Sequence, residues 1–389
     1  MSVSVAYLDY AATTPVAAEV ARRMGECLTA EGSFGNPSSA SHAYGARAAE
    51  LVESARAQVA ACVGAMASEI VWTSGATESN NLAIFGVAHY YRSSGKHIVT
   101  ARTEHKSVLD SCRELERRGW RVTYLSPGDS GVLDPAQIAE ALEPETVLVS
   151  VMHVNNELGT IQDIAAIAEI CARSGQALLH VDAAQSVGKT RMDFAALGAD
   201  LMSLSAHKAY GPKGAGALVV SRRRPVQLTP LLHGGGQERS LRSGTIATHQ
   251  VVGMGTAFEL AAAETARDRE RIAALQTQLW QGLQGLGGVY RNGDPKRSVP
   301  HILNVSFEGV EGESLVADIG SRIAVSTGSA CTSAQGEPSY VLRAVGRDDR
   351  LAESSLRFSL GRYSSRADVE TAVDSVTQAV TRLRRISGA

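Results

Sequence analysis

The strongest constraint in this sequence is an alternation between residues 69 and 205. Segments 69–73, 97–100, 121–125, 146–152, 177–182 and 201–204 are short runs rich in apolar and β-branched residues and read as strands. Segments 80–91, 107–118, 135–142 and 164–174 carry helical spacing and lie between them. Strands separated by helices pair in parallel, because a parallel crossover needs a dozen or more residues, and the crossover helices then cover the sheet. The alternation therefore predicts an α/β fold with a mostly parallel, helix-covered sheet.

In such sheets ligands sit beyond the carboxyl ends of the strands. Five polar stretches fall there: 74–78, 103–105, 155–157, 182–185 and 205–208. Ser74-Gly75-Ala76-Thr77-Glu78 is a glycine-containing turn ahead of a helix, whose unpaired N–H groups and positive dipole end suit a phosphate. Thr77 and Glu78 serve equally as ordinary caps. Ser205-Ala206-His207-Lys208 follows an apolar run and precedes a Gly/Pro turn. Lysines are scarce here (Lys96, Lys106, Lys189, Lys208, Lys213 and Lys296), and one at the edge of a core is costly unless paired, neutralised or covalently used. Lys208 is either a turn lysine or an amine that forms a Schiff base with an aldehyde cofactor.

Asp182 lies 26 positions before Lys208, also at a strand end. A pyridine cofactor needs such a pair: an amine for its aldehyde and a carboxylate to keep its ring nitrogen protonated. By itself Asp182 also fits a helix cap. His105 can stack on a flat ring or move protons, or be a satisfied polar histidine. Asn156 and Gln185 can hold a phenolic oxygen, or make loop hydrogen bonds. Thr77, Ser205, His207 and Thr245 offer phosphate donors.

Composition narrows the class. With 389 residues, 44% hydrophobic and 20% charged, the chain can bury two cores. A net charge of −2 gives no basic field, so no direct nucleic-acid binding is expected. No apolar run is long enough for a bilayer, and residues 1–5 lack the pattern of a secretory signal. Five cysteines without a CxxC pair argue against a disulfide framework or zinc site and for a reducing, cytoplasmic setting. A long helical stretch over 251–286 leads into mixed strands (302–307, 323–325, 355–359) and a final helix over 366–384, the pattern of a smaller α+β unit. Large and small domains are expected at 16–260 and at 1–15 plus 261–389. In the small one, residues 326–336 are small and polar around Cys331 and read as a mobile, exposed loop. Ser38 or Ser39 is the expected cap of the helix running to residue 63.

Taken together, Tyr7-Leu8-Asp9-Tyr10-Ala11-Ala12-Thr13-Thr14, Gly35-Asn36-Pro37-Ser38-Ser39, Ser74-Gly75-Ala76-Thr77-Glu78-Ser79, Thr103-Glu104-His105, His153-Val154-Asn155-Asn156-Glu157, Asp182-Ala183-Ala184-Gln185, Ser205-Ala206-His207-Lys208, His233-Gly234-Gly235-Gly236, Gly328-Ser329-Ala330-Cys331 and Arg357-Phe358-Ser359 resemble the pyridoxal-phosphate cysteine desulfurases of the NifS/IscS type. The resemblance implies an aminotransferase-like fold type I homodimer with a seven-stranded sheet, using pyridoxal 5'-phosphate and L-cysteine. It implies that Lys208 bonds the cofactor and shuttles protons, Asp182 pairs with the pyridinium and His105 stacks on the ring. Asn156 and Gln185 would contact the phenolic oxygen, and Ala76, Thr77, Ser205 and His207 the phosphate. Thr245 would reach the partner subunit's phosphate. Arg357, assisted by Asn36 and Asn156, would bind substrate. Cys331 would take the sulfur as a persulfide and pass it to an acceptor protein, for iron–sulfur cluster assembly or thio-modification. The resemblance departs at the C-terminus, where the extended tail of many scaffold-docking relatives is replaced by Ile386-Ser387-Gly388-Ala389, so the acceptor stays open. A selenocysteine lyase or another class V enzyme is the alternative, and an inactive interaction protein on the same fold a further one.

Overall fold

The structure, a computed structural model, describes residues 5–327 and 338–388. A two-residue strand, β1 (Ala6–Tyr7), precedes helices Ala18–Gly25 and Ala43–Val63. Seven strands follow: β2 (Ile70–Thr73), β3 (His97–Ala101), β4 (Arg121–Leu125), β5 (Thr146–Met152), β6 (Leu178–Asp182), β7 (Leu201–Ser205) and β8 (Gly216–Val220). They form one sheet in the order β2-β8-β7-β6-β5-β3-β4. From β4 to β7 all neighbours are parallel, while β8 is antiparallel to both β7 and β2. The alternation did not announce β8. Residues 206–215, which join it to β7, contain no helix and are too few for a crossover, so the chain must return antiparallel.

The inner strands β5, β6 and β7 are buried along their whole length, as two-sided helical cover requires. One face packs on helix Ala43–Val63, with Val52, Val59 and Val63 against Val149, Val181 and Met202. The other packs on helices Ala76–Tyr91 and Lys106–Arg117, through Ile84, Val87, Val108 and Leu115. Two helix starts differ from the expected ones. Helix Ala76–Tyr91 begins four residues before position 80, so Ala76, Thr77 and Glu78 lie in its first turn. Helix Ala43–Val63 is capped by His42, whose Nδ1 accepts from Gly45 N at 3.2 Å. Ser38 instead closes a local turn, its N–H donating to Asn36 Oδ1 at 2.9 Å.

The 37-residue helix Thr248–Gln284 links this sheet to a second one. Its N-terminal half places Val251, Met254, Phe258 and Ala261 in the large-sheet core. Farther along, Ile272, Leu275, Leu279 and Leu283 enter a separate core. That core belongs to β9 (Val289–Asn292), β10 (Ile302–Phe307), β11 (Ile323–Ala324), β12 (Ser326–Thr327) and β13 (Ser355–Ser359). Four of these form an antiparallel sheet, β12-β13-β10-β9, while β11 pairs in parallel with β1. The final helix, Arg366–Ser387, covers them through Val369, Ala372, Val376 and Val380. Ser326 and Thr327, read from sequence as the start of a loop, are ladder residues opposite Arg357 and Leu356. Residues 328–336 of that loop, Cys331 included, lie outside the described residues.

Candidate active site

The carboxyl ends of β5, β6 and β7 open into a cavity of about 600 Å³. Asp182, the last residue of β6 and 4% exposed, lines it. One carboxylate oxygen accepts from Asn80 Nδ2 at 2.8 Å and the other from Ala184 N at 3.0 Å. Two charge-compatible donors thus hold a buried anion in one orientation. Asn80 also donates to Ser107 Oγ at 2.8 Å, and Ser107 Oγ is 2.8 Å from His105 Nδ1.

His105 sits at the cap of helix Lys106–Arg117, and its Nδ1 accepts from Ser107 N at 3.1 Å. With Nδ1 an acceptor, the ring proton of the neutral form is on Nε2. Burial pushes the imidazole below its ordinary range, with Asp182 opposing and Lys208 reinforcing that shift. A neutral, oriented imidazole is suited to lie on a flat ring or to exchange one proton.

A second corner gathers Gly75, Ala76, Thr77, Ser205 and His207. Gly75 has φ of 152°, and its backbone lies so close to β8 that a Cβ on Gly216 would come within 2.4 Å of Gly75 Cα. Only glycine at 216 lets the helix start sit directly on the sheet. The rim is braced by Glu78, which accepts from Ser74 N at 2.8 Å and from Arg242 Nε at 2.8 Å. Arg242 follows a left-handed turn of three non-glycine residues, Glu238, Arg239 and Ser240 (φ 49°, 58° and 64°). Buried Glu238 pins that turn through Arg56 and the N–H of Trp72, each at 2.8 Å. His207 Nδ1 is 3.1 Å from Thr13 Oγ1, and burial, then Lys208, Lys213 and Lys189, push its imidazole down to about 4. It is a neutral donor or acceptor at physiological pH.

Lys208, Gln185 and Asn156 line the same cavity. So does Arg357, which arrives from β13 of the second sheet. Its Nη2 donates to Asp9 Oδ1 at 2.8 Å and its Nη1 to the Asn156 carbonyl at 2.9 Å. Three buried side-chain atoms around the cavity have no partner among the described residues: Ser205 Oγ, Asn156 Oδ1 and Arg357 Nε. Buried polar atoms are seldom left so, and a bound group or ordered water in the cavity would complete them.

The structure therefore brings together Ala76, Thr77, His105, Asn156, Asp182, Gln185, Ser205, His207, Lys208 and Arg357. Asn36 and Thr245 are exposed and do not line the cavity of this chain. Sequence reading missed Asn80, because an asparagine in a first helical turn looks like a cap, and gave Asp9 no role although its motif was evident. Cys27, Cys112 and Cys171 are buried, and Cys62 is partly so. Burial pushes the thiols of Cys62, Cys112 and Cys171 up to about 11, 12 and 12, which makes them poor nucleophiles.

An amine, a carboxylate and a neutral histidine round one strand-end cavity fit a known family. The sequence pattern named "Aminotransferase class-V" matches residues 6–371. The chain belongs to the class-V aminotransferase family. Cysteine desulfurase IscS of Pseudomonas savastanoi pv. phaseolicola is 58% identical over 381 residues, 98% of this chain and 94% of the relative. The enzyme of the same name from Azotobacter vinelandii is likewise 58% identical over 98% of this chain and 94% of its own. Among solved structures, a NifS-like protein superposes with a TM-score of 0.91 at 35% identity, covering 97% of this chain and 100% of its own. SspA in complex with cysteine gives 0.82 at 40% identity, covering 93% and 100%. The fold is thus the fold type I of the NifS-like enzymes.

Proposed function

We propose that this chain is a pyridoxal 5'-phosphate-dependent cysteine desulfurase, converting L-cysteine to L-alanine and leaving the sulfur as a persulfide on Cys331. The observation that carries the reading is the meeting of Lys208, Asp182 and His105 in one cavity with a helix start at Ala76 and Thr77. The residues fit the cofactor. A helix N-terminus, Ser205 and His207 make a phosphate corner in which Ser205 Oγ still needs a partner. The fixed carboxylate of Asp182 suits a pyridinium N–H.

In this reading Lys208 would hold the cofactor through its amine, and once released would take the proton from the substrate's Cα and return protons to the carbon skeleton that becomes alanine. Asp182 keeps the ring nitrogen protonated, and His105 covers the ring. Asn156 and Gln185 engage the phenolic oxygen. When bound, the cofactor draws electrons from the substrate's Cα. Arg357 receives the substrate carboxylate, with Asn36 assisting. Cys331 takes the sulfur as a thiolate. The chain works as a homodimer in the cytoplasm, with Thr245 serving the partner subunit's phosphate site. It divides into residues 16–260 and residues 1–15 with 261–389. The sulfur passes to an acceptor protein, an iron–sulfur scaffold or a sulfur relay. Among the described residues no helix is long and apolar enough to cross a membrane.

The test is single-turnover reaction with L-cysteine, followed by alanine assay and mass spectrometry. Wild type gains one sulfur on the peptide carrying Cys331, whereas Cys331→Ser binds cofactor but forms no persulfide and little alanine. Undiminished alanine from the variant, or persulfide on another cysteine, would overturn the reading. Loss with cysteine alongside full activity with selenocysteine would favour a selenocysteine lyase.

A further inference from the structure

Lys189 is a buried amine to which the chemistry above gives no task. It is 4% exposed and lies in the turn region that follows β6, four residues past Gln185. Its Nζ donates to Gln185 Oε1 at 2.6 Å. Gln185, itself 2% exposed, donates from Nε2 to the Ala11 carbonyl at 2.7 Å. Gln185 and Ala11 line the cavity, and Lys189 stands behind them.

These partners settle which way the Gln185 amide faces. The Ala11 carbonyl can only accept, so it must meet the NH₂ end. An ammonium can only donate, so it must meet Oε1. One N–H of Nε2 is taken by Ala11, and the second remains to be given. A cation donating to Oε1 polarises the amide and makes that second N–H a stronger donor. The cationic groups around Lys189 are Lys208 and Arg357, and His207 and His301 also feel its charge. With burial, the two cations push the amine down to about 7. Burying an ammonium in such company is costly; the downward shift and the hydrogen bond to Gln185 Oε1 are what relieve it, and that bond ties the amine to the cavity wall.

We propose that Lys189 is a positioning residue of the cofactor pocket: through Gln185 it delivers positive polarity to the ring oxygen of bound pyridoxal phosphate. This rests on the reading that the cavity holds that cofactor. A strengthened donor stabilises the deprotonated ring oxygen, so removing the amine should raise the pH at which the bound chromophore titrates.

The experiment is a visible-absorbance pH titration of the holoenzyme, with thermal unfolding as the control for folding. Lys189→Met should shift the titration upward by about one unit, as loss of a nearby charge does. Gln185→Met should shift it likewise, and the double variant should add little, because the two act in series. Lys189→Gln, which keeps a donor without the charge, should fall between and serves if the methionine variant does not fold. A wild type that takes up no cofactor would overturn the functional reading and this proposal with it. A wild type that binds and titrates beside an unshifted Lys189 variant would overturn the proposal alone. So would a Lys189→Met shift that persists in full in the Gln185→Met background.

Discussion

Asp182 and Arg357 are both buried charges on the cavity wall, yet they are placed by different means. Asp182 is set by strand register, with Met152 of β5 and Ser203 of β7 as its ladder partners. Its acceptor oxygens are filled by donors on the same sheet-and-helix layer, from Asn80 and Ala184. Arg357 comes from another sheet and is fixed by contacts reaching 348 positions to Asp9 and 201 to Asn156. The first half of the site follows from pairing within one sheet. The second exists only when two sheets are docked correctly, and Asp9 and the Asn156 carbonyl act as its register marks.

This difference predicts unequal responses to substitution. The largest effect belongs to the strand-end half. Lys208→Ala should abolish both visible absorbance of the holoenzyme and turnover, with the fold kept, because Lys208 is the amine that directly follows β7, although Lys213 also lines the cavity. Borohydride trapping and peptide mass spectrometry check this, and a pyridoxyl adduct on Lys189 or Lys213 would break the assignment. A smaller, differently shaped effect is expected at the docked half. Arg357→Lys keeps the charge but loses the planar fork that meets Asp9 and Asn156 together. KM for cysteine should rise roughly ten- to hundredfold with cofactor absorbance unchanged, the signature of lost substrate binding. An equal loss of cofactor affinity would show that the two halves are not separable.

The smallest effect should come from the seam. Glu157 follows Asn156 and accepts from Ser339 Oγ at 2.6 Å, tying the end of the large-sheet half to the cap of helix Tyr340–Ala344. Burial pushes its carboxyl up to about 7, against roughly 4.3 in an unfolded chain. The folded protein therefore holds this proton more tightly than the unfolded one. The resulting stabilisation is full below the unfolded value and is lost as pH rises through 7. Glu157→Gln should lack that loss. Denaturation midpoints of the two proteins should move apart between pH 5 and pH 8 in favour of the variant. A constant difference would mean that the carboxyl is ionised throughout.

The same contrast governs what could be read from sequence. Strands β3 to β7 stood out because buried parallel strands are short, apolar and flanked by helices, and their ends named Asp182, Ser205 and Lys208 directly. β8 and β9 did not stand out, since each is placed by antiparallel pairing with no crossover to mark it. The start of helix Ala76–Tyr91 was misplaced because a Ser-Gly-Ala-Thr string looks like turn, whereas only Ser74 and Gly75 of it lie outside the helix. Asn80 and Lys189 were invisible as site residues: their meaning lies in Asp182 and Gln185, one across the sheet and one a turn away. Arg357 was named only through resemblance, because nothing in a strand of Ser-Leu-Arg-Phe-Ser says that its arginine faces Asp9.

The Asp9–Arg357 ion pair also sets a clock. At roughly 5–20 residues per second of synthesis, Asp9 is made roughly 20–70 s before the arginine it must meet 348 positions on. By the time Lys208 emerges, the strand-end residues from Thr77 to Lys208 are all in hand, while Arg357 is not yet made. A nascent chain therefore possesses the amine and its surrounding strand-end groups well before it has Cys331 and Arg357. The residues proposed above to hold the cofactor are made first, and those proposed to take the sulfur and the substrate carboxylate last.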